Sequence, residues 1–261
     1  MKKGSFTGLL YREYYLGKIS YKTALLFYLG SVLLGWLMLL SVKYGNFGLL
    51  FGKDLKGGII KNKEASEILG LTIILTMKFL PLMSAALMCT VSADTAGKDI
   101  MTKWNRFEHC TPMTPMRFAA VKTVSSAIQT TLGAILSVVY LFTMDIALGE
   151  KLTYGDISLI AVTIAVMSMI SILAQIFVTL LKSVDKGWLC TTFLLMAFFI
   201  IFAVRSNKNT NVTDKTMDIS EIFSELTNVT RKYCPLMLTM LGISFVVLFV
   251  SMYLLYKRRE K

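Results

Sequence analysis

Side chains that could carry enzymatic chemistry are few and scattered in this sequence of 261 residues. His109 is the only histidine, so paired-histidine haem sites, HExxH zinc proteases and Ser-His-Asp hydrolases are excluded or poorly supported. The four cysteines form no CxxC pair and no metal-ligand spacing; they are Cys89, Cys110, Cys190 and Cys234. We therefore predict no catalytic residue, no metal site and no cofactor bound by this chain.

Nucleotide chemistry is expected on another chain. The sequence has no GxxxxGK[ST] loop to hold the phosphates of ATP. If ATP drives this protein, ATP and Mg²⁺ bind a partner. No pair of acids lies within the apolar stretches, which argues against an intramembrane aspartyl protease and a proton-driven carrier.

Three polar side chains within the apolar stretches are candidates for a transport path: Lys78, Gln129 and Gln175. A charge in the middle of a spanning helix costs at least about 2.5–3.5 kcal/mol unless it faces protein or water. Pro81 leaves one helical carbonyl near Lys78 without its donor. Lys78 therefore either lines the path or is satisfied structurally, by that carbonyl or by Asp145. The two glutamines are candidates because a buried amide needs partners.

Small and polar residues form one stripe on each of two apolar stretches. Such stripes let helices approach closely in lipid, so helix packing is favoured over a polar conduit. The stripes are Ser126, Thr130, Gly133 and Ser137, and Ala161, Ala165, Ser168, Gln175 and Thr179.

The composition is typical of a membrane protein. Hydrophobic residues make up 55% of the chain and charged residues 17%, against about a quarter charged in soluble domains. The apolar residues come in long blocks, which argues against soluble, disordered and nucleic-acid-binding proteins. The net charge of +12 is explained by an excess of Lys and Arg in cytoplasmic segments, so no nucleic-acid partner is expected.

Six apolar stretches are long enough to span a lipid bilayer, for which about 20 residues are needed. They are Thr23–Val42, Ile68–Val91, Phe118–Leu148, Ile157–Leu181, Trp188–Val204 and Cys234–Tyr256. The predicted fold is an all-α polytopic membrane protein, with a single transmembrane domain over residues 1–261. The third stretch is long enough to tilt or to extend beyond the lipid.

Basic residues orient the spans. With the N-terminus inside, 16 of the 28 Lys and Arg residues fall in the inner segments and 11 fall in longer outer segments. The positive-inside rule therefore places both termini in the cytoplasm. The expected location is the plasma membrane of a bacterial cell.

Two further helices are predicted outside the spans. In residues 1–22, apolar side chains at helical spacing indicate an amphipathic helix in the inner interface, with a solvated leader as the alternative. In residues 218–232, Asp218 followed by Glu221 indicates a capped outer helix before the last span.

The segment between the second and third spans is the most informative part of the chain. An apolar stripe at helical spacing predicts a short helix over residues 98–110 on the inner membrane face. The stripe consists of Ile100, Trp104 and Phe107. Thr114 and Pro115 then mark the start of the next helix, because proline is favoured at the first helical position.

This segment resembles the inner loop of the permease subunits of ABC-2-type transporters. In that family an acid and a glycine are followed by an aromatic residue, a Pro-x-Ser/Thr turn and a lysine. The matching residues here are Asp94, Gly97, Trp104, Pro112, Thr114 and Lys122. Pro115 departs from the pattern, because the family more often has a basic residue there. The resemblance also covers the leader motif Leu9–Glu13, the six-span plan and the structured outer loop.

The resemblance implies a half-transporter that pairs with a second permease subunit, as a homo- or heterodimer, and with two ABC ATPase subunits. The short inner helix then fits a cleft on the ATPase and passes its motion to the spans. The residues expected at that contact are Lys98, Asp99, Lys103, Trp104, Phe107 and Glu108. Ser31 and Gly35 in the first span, together with the fifth span, are candidate contacts between the two permeases.

The expected function is export. Single-domain permeases of this size are similar to bacterial exporters of phenol-soluble-modulin-like peptides and to bacitracin or lantibiotic efflux permeases, so the expected cargo is an amphipathic peptide. Efflux of a drug, an antibiotic or a lipid by the same machinery is the alternative. An ATP-independent channel or carrier is the alternative from another class.

Overall fold

Long α-helices make up the described part of the chain. The computed structural model describes residues 6–44, 63–103, 114–148, 153–207 and 219–259. The helices are α1 (Phe6–Tyr44), α2 (Lys63–Met101), α3 (Pro115–Leu148), α4 (Tyr154–Leu181), α5 (Val184–Asn207) and α6 (Ile219–Arg259). These residues contain no strand, so the predicted all-α class is confirmed for them.

Five of these helices, α1, α2, α3, α4 and α6, are long and apolar enough to cross a membrane. This agrees with a multi-pass membrane protein. The fifth predicted span lies within α5, but α5 is not among the five. Most side chains of α5 beyond Ala197 are outside the described set, so a sixth crossing stays a prediction.

The outer faces of the helices are apolar. Leu26 on α1 is 72% exposed, and Val246 on α6 is 62% exposed. Soluble proteins rarely expose a large continuous apolar surface. Such a surface is suited to contact with the acyl chains of a bilayer.

α1 is one continuous helix, which corrects the prediction of a separate interfacial helix over residues 1–22. Its buried positions recur at intervals of three, four or seven residues on both sides of Thr23. They are Leu9, Glu13, Gly17, Ala24, Tyr28, Ser31, Gly35 and Leu39. This spacing keeps one helix face against the bundle throughout. The change from charged to apolar residues alters the surroundings of the helix without interrupting its hydrogen bonds.

α1 is also longer than a bilayer requires. Its 39 residues extend about 58 Å at 1.5 Å per residue, whereas the hydrocarbon core is about 30 Å thick. With Thr23–Val42 in that core, the N-terminal half of α1 projects beyond it. The start of α3 projects on the same side, because Phe118 packs in one cluster with Leu9.

α6 is likewise continuous, which corrects the prediction of a separate outer helix over residues 218–232. The helix runs through Pro235. A proline inside a helix removes one hydrogen bond, and spanning helices tolerate it where neighbouring groups compensate. The charges before Pro235 change the composition but do not end the helix. Asp218 and the side chain of Glu221 lie outside the described residues.

Two helix starts show local signals. α3 begins at Pro115, as predicted, and the carbonyl of Thr114 accepts a hydrogen bond from the amide of Arg117 at 2.9 Å. α4 begins after Thr153, whose hydroxyl accepts from the amide of Asp156 at 3.3 Å. The Asp156 carboxylate accepts from the amide of Thr153 at 3.1 Å in return. This capping box adds a start signal to those predicted.

α2 lies at the centre of the bundle, with α1, α3 and α4 packed around it. α6 packs on α3 and α4, and α5 packs on α4. A cluster formed by Leu9, Phe118, Ile172, Met252 and Tyr256 joins the first turns of α1 to the last turns of α6. The first and last helices therefore start and end at the same end of the bundle, which we call the charged end.

α4 and α5 form a close hairpin joined at Lys182 and Ser183. Lys182 has a left-handed backbone with φ 51°, which reverses the chain. Gly187 then lies against α4, and a Cβ atom there would be 2.7 Å from the Cα of Val178. Because atoms do not approach so closely without a shift, glycine is required at this contact.

We expect Gly187→Ala to destabilise the protein by about 1–3 kcal/mol, the usual cost of overpacking. The measurement is the apparent Tm of the purified protein in detergent. Gly242→Ala is the matched control, because a Cβ at Gly242 meets nothing within 4 Å and alanine favours a helix. An unchanged Tm for Gly187→Ala would contradict the close approach of α4 and α5.

Candidate functional site

Four ionisable side chains meet inside the bundle at its charged end. Lys122 Nζ on α3 lies 2.8 Å from Glu13 Oε1 on α1 and also pairs with Oδ2 of Asp99 on α2. Arg12 on α1 pairs with Oδ1 of Asp99. Two cations and two carboxylates thus form a network with a formal net charge of zero, which we call the ion cluster.

The ion cluster is largely withdrawn from water. Glu13, Asp99 and Lys122 are 2%, 6% and 4% exposed. A buried ion costs several kcal/mol unless it is paired and hydrogen-bonded, so each of these groups depends on the others. Asp99 is the central acceptor, because its two oxygens are engaged by cations from two different helices.

Each helix positions its charge by a simple feature of the sequence. Glu13 lies on the buried face of α1, four residues from Leu9. Asp99 lies in the last turn of α2. Lys122 lies two turns into α3, whose start is set by Pro115. The ion cluster therefore ties three helices together at one level.

A more exposed polar group lies beside the ion cluster. Asp94 accepts a hydrogen bond from Ser20 and lies 2.9 Å from Lys98 Nζ. Lys98 also donates to Ser20 Oγ at 2.5 Å. These contacts join α1 to α2 a second time. Because the pair is partly exposed, its contribution to stability is small, about 0–1 kcal/mol.

Several residues that carry the family resemblance are used in helix packing or in ion pairs. A Cβ at Gly97 would lie 3.2 Å from Cγ2 of Val184, so α2 passes close to the start of α5. Asp94 and Lys122 hold the ion pairs given above. Trp104 and Pro112 lie outside the described residues.

The structure describes the first part of the segment that is predicted to contact the ATPase. Residues 98–101 form the last turn of α2 rather than the start of a separate helix over residues 98–110. Asp99 was predicted at the contact, but burial in the ion cluster keeps it from a partner's surface. It can act on such a contact only by positioning α2.

Of the remaining residues that are predicted to contact the ATPase, the structure describes Lys98 and Lys103. Lys98 is held by Asp94 and Ser20. Lys103 is exposed and has a left-handed backbone with φ 56°, just after the end of α2. The predicted contact residues outside the described part of the chain are Trp104, Phe107 and Glu108.

Two of the predicted path residues are buried glutamines. Gln129 is 0% exposed, and its Nε2 donates to Tyr21 Oη at 2.7 Å. Gln175 is 1% exposed on α4. Within the described residues, the side-chain oxygen of each glutamine has no hydrogen-bond partner, a cost of about 1–3 kcal/mol each. Lys78 lies on α2, but its side chain is outside the described set, and all three path roles stay predictions.

The polar stripes of α3 and α4 serve helix packing. Thr130 Oγ1 lies 2.9 Å from Ser168 Oγ across the two helices. Ser92 on α2 makes a similar contact of 2.7 Å with Ser171 on α4. The predicted packing role of these stripes is therefore confirmed where the residues are buried. These are Ser126, Thr130, Gly133, Ser137, Ala165, Ser168 and Gln175.

The two residues of the first span that are predicted to contact a second permease pack within this chain. Ser31 Oγ lies 2.6 Å from Ser84 Oγ on α2 of the same chain. Gly35 faces the side chain of Tyr140 on α3. Both positions are used by packing within one chain, so a second copy would have to contact another face of α1.

Sequence reasoning missed three residues of this region. Arg12 and Glu13 were matched to a leader motif and not assigned to the ion cluster, and Tyr21 was not recognised as a partner of Gln129. The usable signal was the spacing of Glu13, which lies four residues from both Leu9 and Gly17 on the buried face of α1. An acid in phase with a packing face needs a cation opposite it.

No protein-family model, curated protein or solved structure matches this chain. The apolar helices and the ion cluster are the described features that bear on function.

We expect Lys122→Met to lower stability by about 3–5 kcal/mol, because Glu13 and Asp99 then stay buried with one fewer cation. The apparent Tm in detergent measures the loss. Lys98→Met is the matched control, since it removes a cation from the exposed pair with Asp94, with an expected loss of about 0–1 kcal/mol.

A double variant tests the pairing itself. Glu13→Gln combined with Lys122→Met removes one charge of each sign, so it should recover part of the stability that Lys122→Met loses. If Lys122→Met melts like Lys98→Met, or if the double variant recovers nothing, the ion cluster is not a stabilising network.

Proposed function

We propose that this chain is the membrane-spanning permease subunit of an ATP-driven exporter of the ABC-2 type. The ion cluster is the observation that carries the proposal. It lies at the end of the bundle where α2 ends and α3 begins, and the segment between them is the one that resembles the ATPase-contacting loop of that family.

The mechanism we propose is a rigid link from the ATPase to three helices. A partner that moves the segment after Lys103 also moves the last turn of α2. Asp99 in that turn pairs with Arg12 on α1 and Lys122 on α3. Separating these buried charges is costly, so α1, α2 and α3 move together rather than singly.

The partners follow from the same proposal. ATP and Mg²⁺ bind two ABC ATPase subunits, because this chain has no phosphate-binding loop. A second permease subunit completes the transport path. In support of this, the space between α2, α3 and α4 is filled by buried side chains such as Leu82, Tyr140 and Ile164. A path for a large cargo is then formed on a surface that two permeases share.

The cargo we propose is an amphipathic peptide, with a drug, an antibiotic or a lipid as the alternative cargo of the same machinery. The proposed location is the bacterial plasma membrane, with the charged end in the cytoplasm. The basic surface of the charged end supports this orientation. It includes Lys18, Lys22, Lys257 and Arg258.

We expect Trp104→Ala or Phe107→Ala to weaken recruitment of the ATPase or to uncouple ATP hydrolysis from export. Truncating a buried aromatic anchor costs about 2 kcal/mol or more, a loss of roughly thirtyfold in affinity. The measurements are co-purification of the ATPase with the tagged permease and ATP turnover in proteoliposomes, with peptide and drug panels as cargo.

Phe193→Ala is the matched control, because Phe193 is an aromatic residue of α5 that is 65% exposed on an apolar face. It should leave recruitment and coupling unchanged. Unchanged recruitment and coupling in the Trp104 and Phe107 double variant would falsify the docking role. Transport by the permease alone, without any ATPase, would instead favour a channel or carrier.

A further inference from the structure

We propose that a groove between α1 and α3 binds an acyl chain of an anionic phospholipid, with the lipid phosphate against Lys18 and Lys22. The groove has a volume of about 500 Å³ and runs along the outside of the bundle. Its apolar wall includes Leu25, Met88, Ile128, Leu132 and Ile135. This inference concerns a binding site and does not depend on what the protein exports.

The apolar part of the groove fits within one bilayer leaflet. On α3 it extends from Ile128 to Leu136, about 12 Å at 1.5 Å per residue. Half of a hydrocarbon core of about 30 Å is about 15 Å. Leu25, Ile128 and Leu132 are 44%, 47% and 41% exposed, so the groove opens sideways toward the surrounding acyl chains.

The α1 wall of the groove is basic in its middle, between Tyr14 and Leu25. Lys18 and Lys22 lie one turn apart on α1, on the same face as Leu25. Both are exposed. Within the described part of the chain, neither ammonium is paired with a carboxylate. They belong to neither the ion cluster nor the Lys98 pair, and two neighbouring unpaired cations favour an anionic ligand.

Tyrosine rings indicate the level of these two lysines. The rings of Tyr14 and Tyr21 are stacked with centroids 5.9 Å apart at the mouth of the groove, and Tyr11 follows at 6.4 Å from Tyr14. Tyrosine concentrates where acyl chains meet headgroups. This places Lys18 and Lys22 at the height of a lipid phosphate and the apolar wall at the height of its chain.

Charge complementarity favours a lipid over a second copy of this chain as the occupant. At the charged end, the exposed acids among the described residues are Asp94 and Asp185. Asp94 is already engaged by Ser20 and Lys98. The described surface of a second copy therefore presents little negative charge to Lys18 and Lys22, whereas an anionic headgroup supplies it directly.

The test compares phosphatidylglycerol with phosphatidylcholine of the same acyl chains, titrated onto the full chain in detergent and followed by native mass spectrometry. Each lysine near a headgroup is worth about a factor of five, so two give roughly a twenty- to thirtyfold preference for phosphatidylglycerol. Lys18→Gln combined with Lys22→Gln should remove that preference.

The matched control is Lys257→Gln combined with Arg258→Gln, which removes two exposed charges at the same end of the bundle but outside the groove. It should keep the preference. If this control loses the preference equally, or if the Lys18 and Lys22 variant keeps it, the attraction is general and the proposed site is wrong.

A second variant tests the groove without changing charge. Leu132→Trp fills the apolar wall and should weaken phosphatidylglycerol binding about tenfold, as expected from displacing roughly two methylene groups. Unchanged affinity would overturn the acyl-chain site. Glycerol phosphate, which has the charge without the chains, should not compete at concentrations similar to the lipid. Equal competition would identify a free phosphate site instead.

Discussion

The neutralisation of Asp99 is the constraint on which the charged end of this bundle depends. A carboxylate at a 6% exposed position is stable only if cations reach it, and the two that do so come from α1 and α3. Glu13 then balances the second charge through Lys122. Moving α2 away would separate Asp99 from both Arg12 and Lys122, so the network holds the last turn of α2 between α1 and α3.

The lengths of the helices explain how such a network fits a membrane protein. α1 and α3 have 39 and 34 residues, well beyond the roughly 20 that span a bilayer. The extra turns of α1 lie at the charged end, so with Thr23–Val42 in the hydrocarbon core the ion cluster falls outside it, where the cost of its charges is lower than at mid-membrane. Farther along the same helices, the contacts between helices include neutral hydroxyl pairs such as Ser31 with Ser84 and Thr130 with Ser168.

Patterns among neighbouring residues predicted the helices well. Contacts between residues that are far apart in the sequence were not predicted. The apolar stretches and the Pro115 start follow from composition and backbone chemistry, which are properties of neighbouring residues. The helices predicted over residues 1–22 and 218–232 continue into the neighbouring spans, because a change in polarity does not end a helix. Arg12 and Asp99 are 87 residues apart, and no spacing rule connects them. The path role of Lys78 and the docking role of Trp104 are functional hypotheses that packing alone does not decide.

Different faces of α1 contribute to the ion cluster and to the proposed lipid groove. Glu13 lies on its buried face and joins the ion cluster, whereas Lys18 and Lys22 face the groove beside α3. A lipid in that groove contacts the same two helices that Lys122 ties together, so its binding energy changes with the distance between them. Any ligand that prefers one spacing of α1 and α3 shifts the population toward that spacing. The ion cluster resists the same displacement, so the proposed lipid and the ion cluster would act on one shared coordinate, the separation of α1 from α3.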